Sequence, residues 1–186
     1  MSDSVNWFGF EVPEVLAPVL DRLFARETFY DRAGASPYLS RWYVLGDPED
    51  GKGGRPARAL SLFVHCIHRS DDDQALHNHP WLWSVALFFR GGYCEERRVD
   101  YPDLGTRVVR RLVLPGMLNV IRGDDFHRVD LFGGQVGPER ASWSIFLAGP
   151  KKQGWGFWDR VTGSYWPKDE FIARVRAGIP KEEPTR

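Results

Sequence analysis

Residues 76–93 read LHNHPWLWSVALFFRGGY. Two imidazoles, His77 and His79, stand two positions apart at the head of an apolar run that stops at Gly91 and Gly92. Alternate residues of a strand face one side, so this spacing predicts that the two rings converge on one point. Imidazole ligates zinc, copper, iron and nickel, and a close pair is the start of a metal site. The longest apolar stretch, VALFF at 85–89, is far short of the roughly 20 residues a membrane-spanning helix needs. It reads instead as a strand that fixes the direction of the histidines, with the glycine pair as its turn.

Outward from this stretch the same texture repeats. Between residues 59 and 149 come ALSLFVHCIH, LWSVALFFR, YCEERRV, TRVVRRLVL, LNVI, HRVDLF and SWSIFLAG, separated by SDDD, GG, YPDLG, PG, RGDD and GGQVGPE. Many short strand-like runs at even spacing predict an all-β sandwich or barrel. YLSRWYVLG (38–46) adds a strand in front. Residues 13–26, PEVLAPVLDRLFAR, predict an amphipathic helix whose stripe is Val15, Leu16, Val19, Leu20, Leu23 and Phe24. Pro18 marks a kink or the true first turn of that helix. A short helix closes the chain, with Pro167 suited to its first turn and Gly178 to its C-terminal cap. One domain of 186 residues is expected: a helix at 13–26, a barrel at 38–149, a C-terminal segment at 150–178 and a disordered tail at 179–186. The Gly/Pro/charge segment 47–58, DPEDGKGGRPAR, is expected to be a mobile lid.

Composition narrows the function. Lys+Arg and Asp+Glu balance at 25 each, so no global field argues for nucleic acid or an anionic membrane. The first residues lack the basic-then-apolar pattern of a secretory leader. Two cysteines, Cys66 and Cys94, do not make a disulfide framework, and a cytoplasmic protein with reduced thiols is expected. No P-loop order of Gly, Lys and Ser/Thr occurs.

A third metal ligand is needed, and His127 is the natural candidate, at the start of a strand just after the turn RGDD. Here the sequence resembles the cupin superfamily. The first cupin motif is G-x5-H-x-H-x3-4-E-x6-G. With His77 and His79 on its histidines, Asp71 falls at the first glycine, Ser84 at the glutamate and Gly91 at the last glycine. The second motif is G-x5-P-x-G-x2-H-x3-N. With His127 on its histidine, Gly116 falls at the first glycine, Arg122 at the proline, Asp124 at the second glycine and Leu131 at the asparagine. The pieces HNHPW (77–81), GGY (91–93) and WGF (155–157) resemble those of small cupins of bacteria and phages that carry an HDHPW-like box.

The resemblance implies a double-stranded β-helix, the jelly-roll or cupin barrel, flanked by short helices. It also implies one divalent metal on His77, His79 and His127. Cupins commonly add the glutamate of the first motif as a ligand, and Ser84 cannot supply that carboxylate. The expected site is therefore a neutral three-histidine centre with open positions, similar to those of the iron-dependent thiol and diketone-cleaving dioxygenases. Fe(II) is the expected metal, with nickel, manganese and zinc as alternatives, and oxygenation of a small organic molecule is the expected chemistry. The Ser-x-His-x-Tyr support of the thiol dioxygenases is absent, since SWSIFL (142–147) stands in its place.

Further candidates come from strand geometry. In 93–99, Cys94 and Glu96 share one face and Tyr93 and Glu95 the other. Glu96, if inward, is a candidate general base or fourth ligand. One of Arg110 and Arg111 must point inward in a regular strand, and an inward Arg would anchor an anionic substrate. His65, in LFVHCIH, is a candidate donor to the site or a satisfied core residue. Trp81, Trp83, Trp143, Trp155, Phe157 and Trp158 line an apolar pocket or pack the core. Three rivals to an oxygenase remain at this stage. One is a non-catalytic ligand-binding cupin that pairs into a homodimer. Another is a metal-dependent lyase or isomerase. The third is a metal-independent isomerase with a histidine base, which would need an orienting carboxylate beside that histidine.

Overall fold

A computed structural model describes residues 12–31, 35–46, 59–71, 74–133 and 139–177. The expected lid at 47–58, Gly178 and the tail at 179–186 lie outside the described residues. Helix α1 (Val12–Leu23) leads into strands β1 (Arg26–Tyr30), β2 (Pro37–Leu45), β3 (Ser61–Ile67), β4 (Leu76–His77), β5 (Trp83–Arg90) and β6 (Tyr93–Tyr101). Then follow β7 (Gly105–Val113), β8 (Leu118–Arg122), β9 (His127–Leu131), β10 (Ser142–Ala148), β11 (Gly156–Trp158), β12 (Tyr165–Pro167) and helix α2 (Lys168–Arg176).

The strands form two six-stranded sheets, ordered β1-β2-β3-β10-β5-β8 and β12-β11-β4-β9-β6-β7, with antiparallel pairing throughout. From β3 onward the chain passes back and forth between them, so neighbours in sequence mostly lie in different sheets. This winding is the expected double-stranded β-helix of the cupin type. Side chains from both inner faces, among them Phe63, Phe88, Tyr93, Val129, Leu131 and Phe146, fill the space between the sheets.

The glycine pair does more than turn a strand. Gly91 (φ +74°) and Gly92 (φ +119°) carry the chain from β5 in one sheet to β6 in the other. Both angles lie in the region that glycine enters without steric cost. A Cβ on Gly91 would sit inside van der Waals contact of the Ala141 carbonyl oxygen.

Helix α1 packs on the outer face of the first sheet, where Leu20 is buried with Trp42, Cys66 and Trp143. The stripe read from the sequence is narrower than expected. Leu16, Ala17 and Phe24 join Leu20 in the contact, whereas Val15, Val19 and Leu23 are exposed. A helix lying on a sheet uses one ridge, and the i, i+4, i+8 row supplies it here. The helix runs through Pro18 without ending, and it stops at Leu23 because residues 26–30 form β1. The C-terminal segment also differs from expectation. Its β11 and β12 extend the second sheet, so it belongs to the barrel rather than following it. Pro167 caps α2 instead of starting it, and Ala177 is the cap at the other end. Phe171 of α2 stacks on Phe157 of β11 at 4.2 Å and holds that strand against β4, where the first histidine lies. Cys66 and Cys94 are free thiols. Among the described residues no helix is long and apolar enough to cross a membrane.

Candidate metal centre

His77, His79 and His127 meet at one point, each offering a ring nitrogen within 4.8 Å of the others. The register of the second sheet brings in two of them. His77 on β4 is the direct cross-strand partner of His127 on β9, and their ring centroids lie 4.7 Å apart. Directly opposed residues in an antiparallel pair have Cβ atoms about 4.5–5.5 Å apart, so their side chains must meet. His79 arrives differently, because β4 ends at His77 and HNHPW is not a continuous strand. Asn78, buried between the two histidines, points the other way. Its amide donates to the Gly123 carbonyl at 3.1 Å and its carbonyl accepts from the Gly156 N–H at 2.8 Å. That clamp, with the Gln153 amide donating to the His79 carbonyl at 3.1 Å, turns His79 back toward His127.

The nitrogens His79 Nε2 and His127 Nε2 are 2.8 Å apart. Two nitrogens bound to one ion at about 2.1 Å, adjacent in an octahedral set, would stand about 3 Å apart. The donor type, and the spacing of this pair, therefore fit a divalent transition metal.

Two of the three histidines also turn an outer nitrogen toward a carboxylate. His127 Nδ1 donates to Glu95 Oε1 at 2.8 Å, which leaves the lone pair of a neutral ring on Nε2, toward the cluster. Burial, and then the charges of His127, His77, Arg41 and His65, hold the His79 pKa well below its usual value, so the ring is neutral and available. His77 Nδ1 lies 3.6 Å from Asp71 Oδ2. Asp71 is itself fixed by the Tyr38 hydroxyl at 2.6 Å and the Val129 N–H at 2.7 Å. The residue standing at the first glycine of the cupin motif is thus placed to orient His77.

Glu95, with no exposed surface, is the best-supported side chain in the barrel. Besides His127 it accepts from Asn119 Nδ2 at 2.9 Å, Arg97 at 3.2 Å and Arg111 Nε. Burial alone would raise its pKa. The hydrogen bond from His127, then the charge of Arg97 and the hydrogen bond from Asn119, outweigh that and hold it far below the ordinary carboxylate range. It is a permanent anion behind His127 and a poor proton acceptor.

The other sequence candidates separate by face. Glu96 faces away from the histidines, toward Arg160, Arg110 and Arg128, so the inward acid of β6 is Glu95. Arg111 points inward but is bound to Glu95 and to Asn119 Oδ1. Arg110 is exposed and reaches Glu96 and Asp130. His65 is buried on the inner face of β3, stacked on Phe63 at 5.5 Å and 4.6 Å from the Phe146 ring. Its pKa is pushed well below its usual value by burial and then by Arg41. Ser84 is also buried, and its hydroxyl meets no partner among the described residues. Of the aromatic candidates, Trp81 lies 5.7 Å from His79, while Trp155 and Phe157 lie 6.4 and 6.2 Å from His77. Trp143 packs under α1, stacked on Trp42 at 5.5 Å. Sequence reading missed Asp71 as the partner of His77 and missed Arg41, an inward arginine on β2.

No protein-family model and no curated protein matches the chain. Solved structures do resemble it at low identity. A cupin 2 conserved barrel domain protein from Rhodopseudomonas palustris is 12% identical over 82% of this chain and 84% of its own, with a TM-score of 0.46. Rru_A2000 from Rhodospirillum rubrum, a cupin-2 domain, is 9% identical over 84% and 89%, with a TM-score of 0.47. FeII HppE is 11% identical over 80% of this chain and 62% of its own, with a TM-score of 0.45. The winding of the two sheets and the histidine cluster between them give the chain a double-stranded β-helix with a candidate three-histidine metal site.

Proposed function

We propose that this protein is a metal-dependent enzyme acting on a small organic molecule, with His77, His79 and His127 holding Fe(II). The observation that carries the proposal is the convergence of three imidazoles in a barrel, two of them backed by carboxylates. A ligating histidine typically gives its other N–H to a carboxylate, which fixes its tautomer and orientation. Three neutral ligands leave an ion's charge uncompensated and its remaining positions open, which favours an anionic substrate. Iron bound there would supply redox chemistry toward dioxygen.

The chain's own residues account for the rest. Glu95 and Asp71 hold the ring orientations. Trp81, Phe146, Trp155 and Phe157 surround the histidines with apolar surface that limits water. A second reading has one observation in its favour. Glu95 beside His127 is the orienting carboxylate that a histidine-base isomerase requires, and the sequence did not reveal it. The two are separated by oxygen uptake. Iron-loaded protein should consume dioxygen with at least one member of a panel of small organic acids, and His79→Ala should consume none. Turnover of a sugar phosphate by metal-free protein, without oxygen uptake, would replace the oxygenase with the isomerase.

A further inference from the structure

Sequence reading sought a substrate-anchoring arginine on β7, and the structure leaves none free there. Arg111 is bound to Glu95 and Asn119, and Arg110 is outside the barrel. An inward arginine lies instead on β2. Arg41 stands between Glu27 of β1 and His65 of β3 in the register of the first sheet. Its Nε donates to His65 Nε2 at 2.9 Å. Its guanidinium lies 4.9, 4.8 and 5.5 Å from the ring centroids of Phe29, Phe63 and Trp81. These contacts fix its plane.

Its charge meets a carboxylate only at second hand, through the Tyr43 oxygen beside it. Glu27, directly across the strand, accepts from the Tyr43 hydroxyl instead. Among the described residues no carboxylate lies within 4.0 Å of the Arg41 guanidinium. A second group at the same place is also unmet. Trp81 is 95% buried, its ring centroid lies 5.5 Å from the Arg41 guanidinium carbon and 5.7 Å from the His79 ring, and its Nε1–H meets no acceptor among the described residues. A buried indole N–H normally finds a partner. A guanidinium with no carboxylate in contact and an orphaned N–H, one ring away from the histidines, can both be met by one acceptor, and the guanidinium favours an anionic one.

On the reading that the histidines hold a metal, we infer that Arg41, with Trp81 Nε1–H, anchors the carboxylate of the substrate beside that centre. The planar guanidinium fork matches a carboxylate edge to edge. One guanidinium among three uncharged rings suits a monoanion better than a phosphate dianion. Phe63, Trp81 and Phe146 then receive the apolar body of the acid. His65 keeps the guanidinium in its plane and is a positioning residue.

The test is calorimetric titration of full-length protein, metal-free and metal-loaded, with acetate, propionate, benzoate and inorganic phosphate, alongside metal analysis of the same samples. At least one carboxylate should bind the parent. Arg41→Gln should weaken that binding about 10- to 100-fold, the range for a lost charge-assisted hydrogen bond. Arg41→Lys should recover part of the loss, and Trp81→Phe should weaken binding several-fold. Should Arg41→Gln fail to fold, the Lys and Trp81→Phe variants decide. Failure of every carboxylate to bind, binding by phosphate alone, or equal affinity in the arginine variants overturns the inference. Failure of the parent to hold metal overturns the proposed function separately, because the metal-free titration still reads the Arg41 site.

Discussion

Replacing Glu95 tests how the barrel holds its histidines. The carboxylate accepts hydrogen bonds from His127, Asn119, Arg97 and Arg111 and has no exposed surface. Glu95→Gln keeps an oxygen for His127 Nδ1 but removes the charge and places an NH2 against arginine donors. Removing one partner of a buried ion pair costs about 3–5 kcal/mol. Arg97 retains Asp125 at 3.3 Å, and the Arg111 side chain is 41% exposed, so the low end applies. A loss of about 3 kcal/mol lowers the melting temperature of a chain this size by about 6–12 °C. Metal affinity should fall about 10- to 100-fold, as for other lost carboxylate–histidine contacts. Glu95→Ala should fall further, because His127 then loses its acceptor as well. The assays are thermal melting by circular dichroism and competition with a chelator of known affinity. The order parent, Gln, Ala should appear in both. Equal metal affinity in all three would refute the assignment of Glu95 as the residue that orients His127.

Three further expectations follow from the packing. Ser84→Ala should leave metal content unchanged and stability equal or slightly higher, because the buried hydroxyl has no partner to lose; a drop above about 1 kcal/mol in denaturant melts would contradict it. Gly91→Ala should cost about 3 kcal/mol or more, combining a positive φ with a backbone clash at Ala141, while Gly105→Ala, where φ is +65° and the space is open, should cost only the strain, about 1–2 kcal/mol by the same denaturant melts. Burial pushes the Cys66 thiol up to about 12, whereas an unfolded thiol titrates near its ordinary value. The unfolded state therefore releases this proton first, and Cys66 makes stability fall as pH rises from about 9 toward 12. Cys66→Ser should flatten that fall in urea melts across the range, and an unchanged slope would contradict it.

Most of the barrel is written in the turn residues, since SDDD, GG, PG and RGDD fall between strands whose ends lie within a residue or two of the runs read from the sequence. The three histidines were legible in the sequence, although within the HNH box only His77 lies on a strand, because the box converges through the Asn78 clamp rather than through strand alternation. What the sequence hid was facing. In YCEERRV two adjacent acids are both buried, Glu95 at 0% and Glu96 at 8% exposure, so composition could not say which one faces the histidines. The usable signal was Tyr93, a core aromatic on the same face as Glu95. Arg41 was hidden for the opposite reason. In LSRWYVL the large apolar Trp42 suggests that its face is the core and that Arg41 faces water. Both faces of β2 are covered, with Trp42 under α1 and Arg41 inside the barrel. The short strands β1, β11 and β12 carry too few residues for a period-two pattern to show.

The central claim is that His77, His79 and His127 hold one metal ion. It is tested most directly by elemental analysis of untagged protein, as purified and after loading with iron, nickel, manganese or zinc, in parallel with His79→Ala. The parent should carry about one equivalent of metal per chain, and the folded variant should lose at least tenfold in affinity. A parent that binds none of the four metals, or a His79→Ala variant that binds them as tightly as the parent, would contradict it.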